Sequence, residues 1–163
     1  MGQVWQEIWN TVRVEFSDIG EISEFVRVVL RLLLAVIFGG VLGIERAQKG
    51  KSAGVRTHML VCMGAALFVL VPQLAGGPDA DMTRVIQGVV AGIGFLGAGS
   101  IIQGNSTRDV KGLTTAAGIW LTAAIGIAVG MGREGSAFIS TVFALLILNM
   151  TPKGSGLSES KEK

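Results

Sequence analysis

The feature that most constrains this chain is a succession of long stretches without charge. No Asp, Glu, Lys or Arg occurs in residues 57–78, 85–107, 112–132 or 135–152. Stretches of this kind approach the roughly 20 apolar residues that a helix needs to cross a bilayer. Period-two alternation is absent, and lipid leaves no backbone group unpaired, so helices are the expected spanning structure. Charged residues make up only 16% of the chain, against about a quarter in a soluble domain. Lipid rather than water is the expected solvent.

The expected fold class is an all-α membrane protein of about five transmembrane helices. The spans are expected at about 26–44, 57–74, 84–102, 113–129 and 136–150, forming one bundle over 26–150. Arg27 and Arg31 sit in the first turns of the first span, where long side chains snorkel to the interface. Residues 1–25 differ. Val4, Ile8, Val12, Phe16 and Ile19 recur at helical spacing, with Trp5 and Trp9 beside them. This reads as an amphipathic helix in the membrane interface, or equally as one packed on the edge of the bundle. The N-terminus is acidic and its first apolar run comes late, so no cleaved signal is expected. The tail, 151–163, is Gly, Ser, Glu and Lys and is expected to be disordered.

Lys and Arg set the expected orientation. Arg46, Lys49, Lys51 and Arg56 lie in the first loop, Arg108 and Lys111 in the third, and Lys153, Lys161 and Lys163 in the tail. The second loop holds Asp79 and Asp81 with Arg84, and the fourth holds Arg133 beside Glu134. Basic loops stay cytoplasmic, which places the N-terminus outside and the C-terminus inside.

Several function classes are excluded. A net charge of +2, without basic runs interleaved by aromatics, argues against nucleic acid. One cysteine, Cys62, forms no internal disulfide and reads as a small buried hydrophobe. No nucleophile–base constellation, zinc helix motif or P-loop occurs, so catalysis is not expected. Gly92-Ile93-Gly94-Phe95-Leu96-Gly97 matches G-x-G-x-x-G, but it lies within an apolar span and lacks the strand, helix and acidic residue of a dinucleotide site.

The glycines have two physical readings. Gly92, Gly94, Gly97 and Gly99 either let a neighbouring backbone approach or open the helix to expose carbonyls, and packing is the preferred reading. Thr114, Gly118, Thr122, Gly126 and Gly130 form a stripe at every fourth position, and Ala35, Gly39 and Gly43 repeat it in the first span. Such stripes predict a tight bundle and offer a face for a homo-oligomer.

Charged and polar candidates collect at helix ends. Glu45 and Arg46 close the first span; Arg56, Thr57 and His58 open the second; Asp109 and Lys111 precede the fourth. Glu45 and Asp109 offer oxygens suited to magnesium, although an ion pair of Glu45 with Arg46 or Arg56 is the preferred reading. His58, the single histidine, is expected to cap or to bond a loop carbonyl, with proton sensing as the less favoured reading. Thr57 is a candidate N-cap, and Thr114 or Thr115 is expected to cap or line the fourth span. Asp81 and Arg84 are spaced to pair on one helix face at the outer side.

Leu42-Gly43-Ile44-Glu45-Arg46, Ala53-Gly54-Val55-Arg56-Thr57-His58 and Gly64-Ala65-Ala66-Leu67-Phe68 follow one another in the first half. Gly92 to Gly99 and Gly112-Leu113-Thr114-Thr115-Ala116-Ala117-Gly118-Ile119-Trp120 follow them. In order and spacing these blocks resemble the MgtC/SapB family of bacterial inner-membrane proteins over roughly residues 30–135. The resemblance implies a part in magnesium homeostasis and in adaptation to low magnesium or stress. In some pathogens it implies a part in virulence. A membrane partner such as the F-type ATP synthase is implied for some members, and ion transport has been suggested for others. The residues it points to are Glu45, Arg46, Arg56, Thr57, His58, Asp81, Arg84, the glycines from Gly92 to Gly99, Thr114 and Thr115. Met82 departs from the pattern, which often has Pro between the outer Asp and Arg. The short tail, 151–163, is not expected to form the cytoplasmic domain of virulence-associated members.

Two functions follow as expectations. One is a regulatory protein that acts through membrane partners without catalysis and needs no cofactor. The other is a small divalent-cation channel or transporter, with magnesium as the first ion to consider. A third span broken near Gly94 would favour the second, and continuous helices the first.

Overall fold

A computed structural model describes residues 2–15, 21–76, 79–103 and 110–150. Its helices are α1 (Gly2–Glu15), α2 (Ile22–Gln48), α3 (Val55–Leu74), α4 (Asp79–Gly99), α5 (Leu113–Gly130) and α6 (Glu134–Asn149). Between α4 and α5 a short antiparallel ladder joins β1 (Ile102–Gln103) to β2 (Val110–Lys111), pairing Ile102 with Lys111 and Gln103 with Val110. Strands of two residues are too short for alternation to register in the sequence. The class is all-α.

The helices α2, α3, α4 and α5 are each long and apolar enough to cross a membrane, and α6 is a shorter apolar helix. At 1.5 Å per residue α6 is about 24 Å long. It nevertheless runs the height of the bundle. Its first residue, Glu134, lies 3.8 Å from Arg31 in the third turn of α2. At its other end the Leu148 carbonyl accepts a bond of 2.6 Å from Lys49, just past the end of α2. The two helices therefore run in the same direction, as a fifth crossing must relative to the first.

Helix α3 is the centre of the packing. Cys62, Ala66, Val69 and Leu70 are fully buried on it. Ala35 and Leu42 of α2, Ile125 and Val129 of α5, and Ala137 and Ala144 of α6 close around Cys62 and Ala66. Small residues permit this approach. A Cβ at Gly39 would lie 2.5 Å from the His58 carbonyl oxygen, one at Gly43 2.5 Å from the Val55 Cα, and one at Gly130 2.5 Å from the Ala66 carbonyl oxygen. Gly126 meets the Cys62 carbonyl in the same way. Gly39 and Gly43 of α2 and Gly126 and Gly130 of α5 are thus spent on α3.

Helix α4 is the outlier. It is continuous through Gly92, Gly94 and Gly97 to Gly99, so the broken-helix reading does not hold. The packing reading holds only for Gly97, which is buried against Ala116 of α5. Gly92, Gly94 and Gly99 have nothing within 4 Å of an added Cβ. Only 6% of the spanning window of α4 is buried, against 44% for α5, so most of α4 lies outside the packed core.

None of the residues of α1 is buried, so it is not packed on the bundle edge. Phe16, Ile19, Asp109 and the tail 151–163 lie outside the described residues.

Candidate functional site

The end of α2 carries a buried ion cluster. Glu45 is 8% and Arg46 2% exposed. Arg46 Nε donates to Glu45 Oε2, and Lys49 Nζ lies 2.8 Å from Glu45 Oε1. Lys49 also donates to the Leu148 carbonyl and, at 3.3 Å, to Asn149 Oδ1. The cluster therefore staples the end of α2 to the end of α6. Its local origin is helical spacing, since Glu45 and Lys49 are four apart and share a face. A buried carboxylate needs a counter-charge, and here both partners come from its own helix end. Arg56, the other partner open to Glu45, is exposed and takes no part. Lys49 joins the site beyond the sequence candidates, and its i,i+4 spacing from Glu45 is the sequence signal for it.

His58, in the first turns of α3, is 1% exposed. Its Nδ1 lies 3.0 Å from the Gly54 carbonyl oxygen. A carbonyl can only accept, so Nδ1 carries the proton and Nε2 is left as an acceptor. Among the described residues Nε2 has no hydrogen-bond partner. The ring lines a cavity of about 130 Å³ with Leu42, Thr114, Gly118, Ala144 and Leu148.

The threonines do not cap. Helix α3 begins at Val55 after an extended Gly54, which places Thr57 in the first turn, exposed. Helix α5 begins after Gly112, whose φ of +97° is left-handed backbone. Only glycine enters that conformation freely. A side chain there would also run into the Ser100 carbonyl, where the ladder crosses. Neither N-cap makes a side-chain bond. Thr115 is buried, and Thr114 lines the His58 cavity.

Glu45, Arg46, Arg56, Thr57, His58, Thr114 and Thr115 thus come to one end of the bundle. Asp81 and Arg84 lie at the opposite end, at the start of α4, both exposed, and no ion pair joins them. At that end the organising residue is Arg31, which does more than snorkel. Its Nη1 donates to Gln73 Oε1 at 2.7 Å and to the Gly130 carbonyl at 2.8 Å. With Glu134 it ties α2, at its third turn, to the ends of α3, α5 and α6. No motif marks it, because its partners are distant in sequence.

Among the described residues no group of three His, Cys, Asp or Glu side chains comes close enough to hold a metal ion. Glu45 has one oxygen on Arg46 and the other against Lys49, so it does not fit a resident magnesium ion as it stands.

Residues 32–155 match the model of the MgtC family. The chain belongs to the MgtC family. Among its relatives, Protein SrpB of Synechococcus elongatus is 47% identical over 130 residues, covering 73% of this chain and 71% of that one. The putative magnesium transporter YhiD of Escherichia coli K12 is 43% identical, covering 75% of this chain and 59% of its own length. Protein MgtC of Brucella abortus is 43% identical over 113 residues, covering 69% and 46%. The chain therefore spans about half the length of that MgtC. No solved structure matches it. The family match contains every candidate residue of both ends, whereas Arg31 lies one position outside it.

Proposed function

We propose that this member of the MgtC family serves magnesium homeostasis in the bacterial inner membrane without catalysis, by contact with other membrane proteins or with copies of itself. The observation that carries this reading is the state of the polar groups. Helix α4 is unbroken through its glycines, and Glu45 is neutralised by Arg46 and Lys49 rather than aimed along a path for a cation. The little-buried face of α4 supplies contact surface. The basic end, with Lys49, Lys51 and Arg56, is the cytoplasmic one in this reading, after the charge rule. An F-type ATP synthase is the first partner to test.

Magnesium transport is the second reading, and the name of the YhiD relative, a putative magnesium transporter, favours it. Flux into liposomes holding the purified protein separates the two. The expected result is magnesium entry no faster than into protein-free liposomes, while growth at low magnesium depends on the protein. Saturable flux that disappears in Glu45→Ala with the fold intact would reverse the order. Crosslinking in intact membranes tests the contacts, and monomer alone with no captured neighbour would count against the first reading.

A further inference from the structure

Between α3 and α4 the bundle is not closed. A cavity of about 630 Å³ lies there, lined by Gly64 and Phe68 of α3 and by Gly88 and Gly92 of α4. A second cavity, of about 380 Å³, lies towards the basic end, where Ser52, Thr57 and Ser100 line it. Val61 and Leu96 line both, so the two form one groove along the helices.

The chemistry changes along the groove. Its long part is hydrocarbon and bare glycine. Its end carries the hydroxyls of Ser52 and Thr57. Exposed Lys51 and Arg56 are next to them in sequence. Among the described residues the acidic one at this end, Glu45, is buried and neutralised, and the exposed charge is that of Lys51 and Arg56. The first turn of α3 also opens at this end without a side-chain cap, and free N–H groups of that kind favour an anion.

Length identifies the occupant. Along α3 the groove runs from Thr57 to Phe68, about 16 Å, and along α4 from Val85 to Gly99, about 21 Å. One leaflet of a bilayer offers about 15 Å of hydrocarbon and both together about 30 Å. A transmembrane helix would need a groove across both leaflets, whereas an acyl chain needs one. We propose that this groove binds one anionic phospholipid, with an acyl chain between α3 and α4 and the phosphate over the first turn of α3 at Thr57 and Arg56. Basic pockets between helices bind anionic headgroups in this manner. The site is separate from the ion cluster of Glu45 and does not depend on whether the protein transports an ion.

The test uses the full chain purified in detergent and native mass spectrometry with phosphatidylglycerol or phosphatidylcholine, both palmitoyl-oleoyl. The wild type is expected to retain phosphatidylglycerol about fivefold or more over phosphatidylcholine. Arg56→Gln with Thr57→Ala should bring the two lipids near parity. Gly92→Leu fills the groove, and its side chain enters open space. It should lower retention of both lipids. If that variant loses its helical circular dichroism, Gly64→Leu, equally open, replaces it. Equal retention of the two lipids by the wild type would overturn the proposal. So would undiminished phosphatidylglycerol in a folded groove-filling variant. A groove-filling variant that abolishes crosslinks between copies while keeping its lipid would assign the groove to a second copy instead.

Discussion

Glu45 and Arg46 are adjacent in sequence, and their cost and benefit are joint. The pair is buried, so removing one partner leaves an uncompensated charge. Glu45→Gln is expected to lose about 3–5 kcal/mol of stability, measured by denaturant titration in detergent. Lys49 touches the same carboxylate but its side chain is 35% exposed, and Lys49→Met should cost under about 1 kcal/mol. Equal losses for the two variants would show that the carboxylate is held by its exposed rather than its buried partner. His58 makes a second residue-scale prediction. It is the single histidine, so selective ¹⁵N labelling gives the spectrum of one imidazole. The expected spectrum is that of the tautomer protonated at Nδ1, and an Nε2-protonated ring would contradict the bond to Gly54. Of these details, the pairing of Glu45 with Arg46 was legible because the two adjoin at a helix end. The turn of His58 toward Gly54 followed from an N-terminus of α3 that lies earlier than Thr57 implied.

At the scale of helices, glycine has opposite meanings on different elements. Gly39 of α2 and Gly126 of α5 lie against the α3 backbone, which a side chain cannot displace. Gly39→Ala should destabilise by about 1–3 kcal/mol. Gly94 of α4 faces open space, and Gly94→Ala should be neutral or stabilising by up to about 1 kcal/mol. Thermal unfolding in one detergent compares them, and equal losses would place α4 inside the packing. The α1 helix has its own test. Trp5 and Trp9 are 70% and 66% exposed, so the bundle does not cover them. In a Trp120→Phe background, lipids brominated near the headgroup should quench their fluorescence more than lipids brominated near the chain end. The reverse order would remove α1 from the interface. The sequence announced the amphipathic character of α1 through periodicity. It did not announce which glycines of the spans were packed, since a small residue looks the same in contact and in open space.

At the scale of the molecule, two polar clamps close the bundle at its ends. Arg31 gathers α2, α3, α5 and α6 at one end, and Glu45, Arg46 and Lys49 join α2 to α6 at the other. Full burial of Cys62 makes orientation directly measurable, because the native thiol is out of reach of labels. Single cysteines at exposed Lys51 and Gly135 should label from opposite faces of the membrane, and labelling from one face would break the five-crossing arrangement. By itself the sequence determined that lipid solvates this chain, that helices cross it, and that charge is confined to their ends. Those properties are sums over residues taken one at a time: hydropathy, length and charge. Tertiary structure alone decided that α2 and α5 turn their glycines onto α3, that α4 stands off to leave a groove, and that Arg31 reaches across four helices. Helices that are apolar all round carry little record of which face is buried, because the lipid outside is as apolar as the neighbouring helix inside. Rotation of each helix about its own axis is therefore set by close packing and by the few polar groups at the ends, which only the folded bundle brings together.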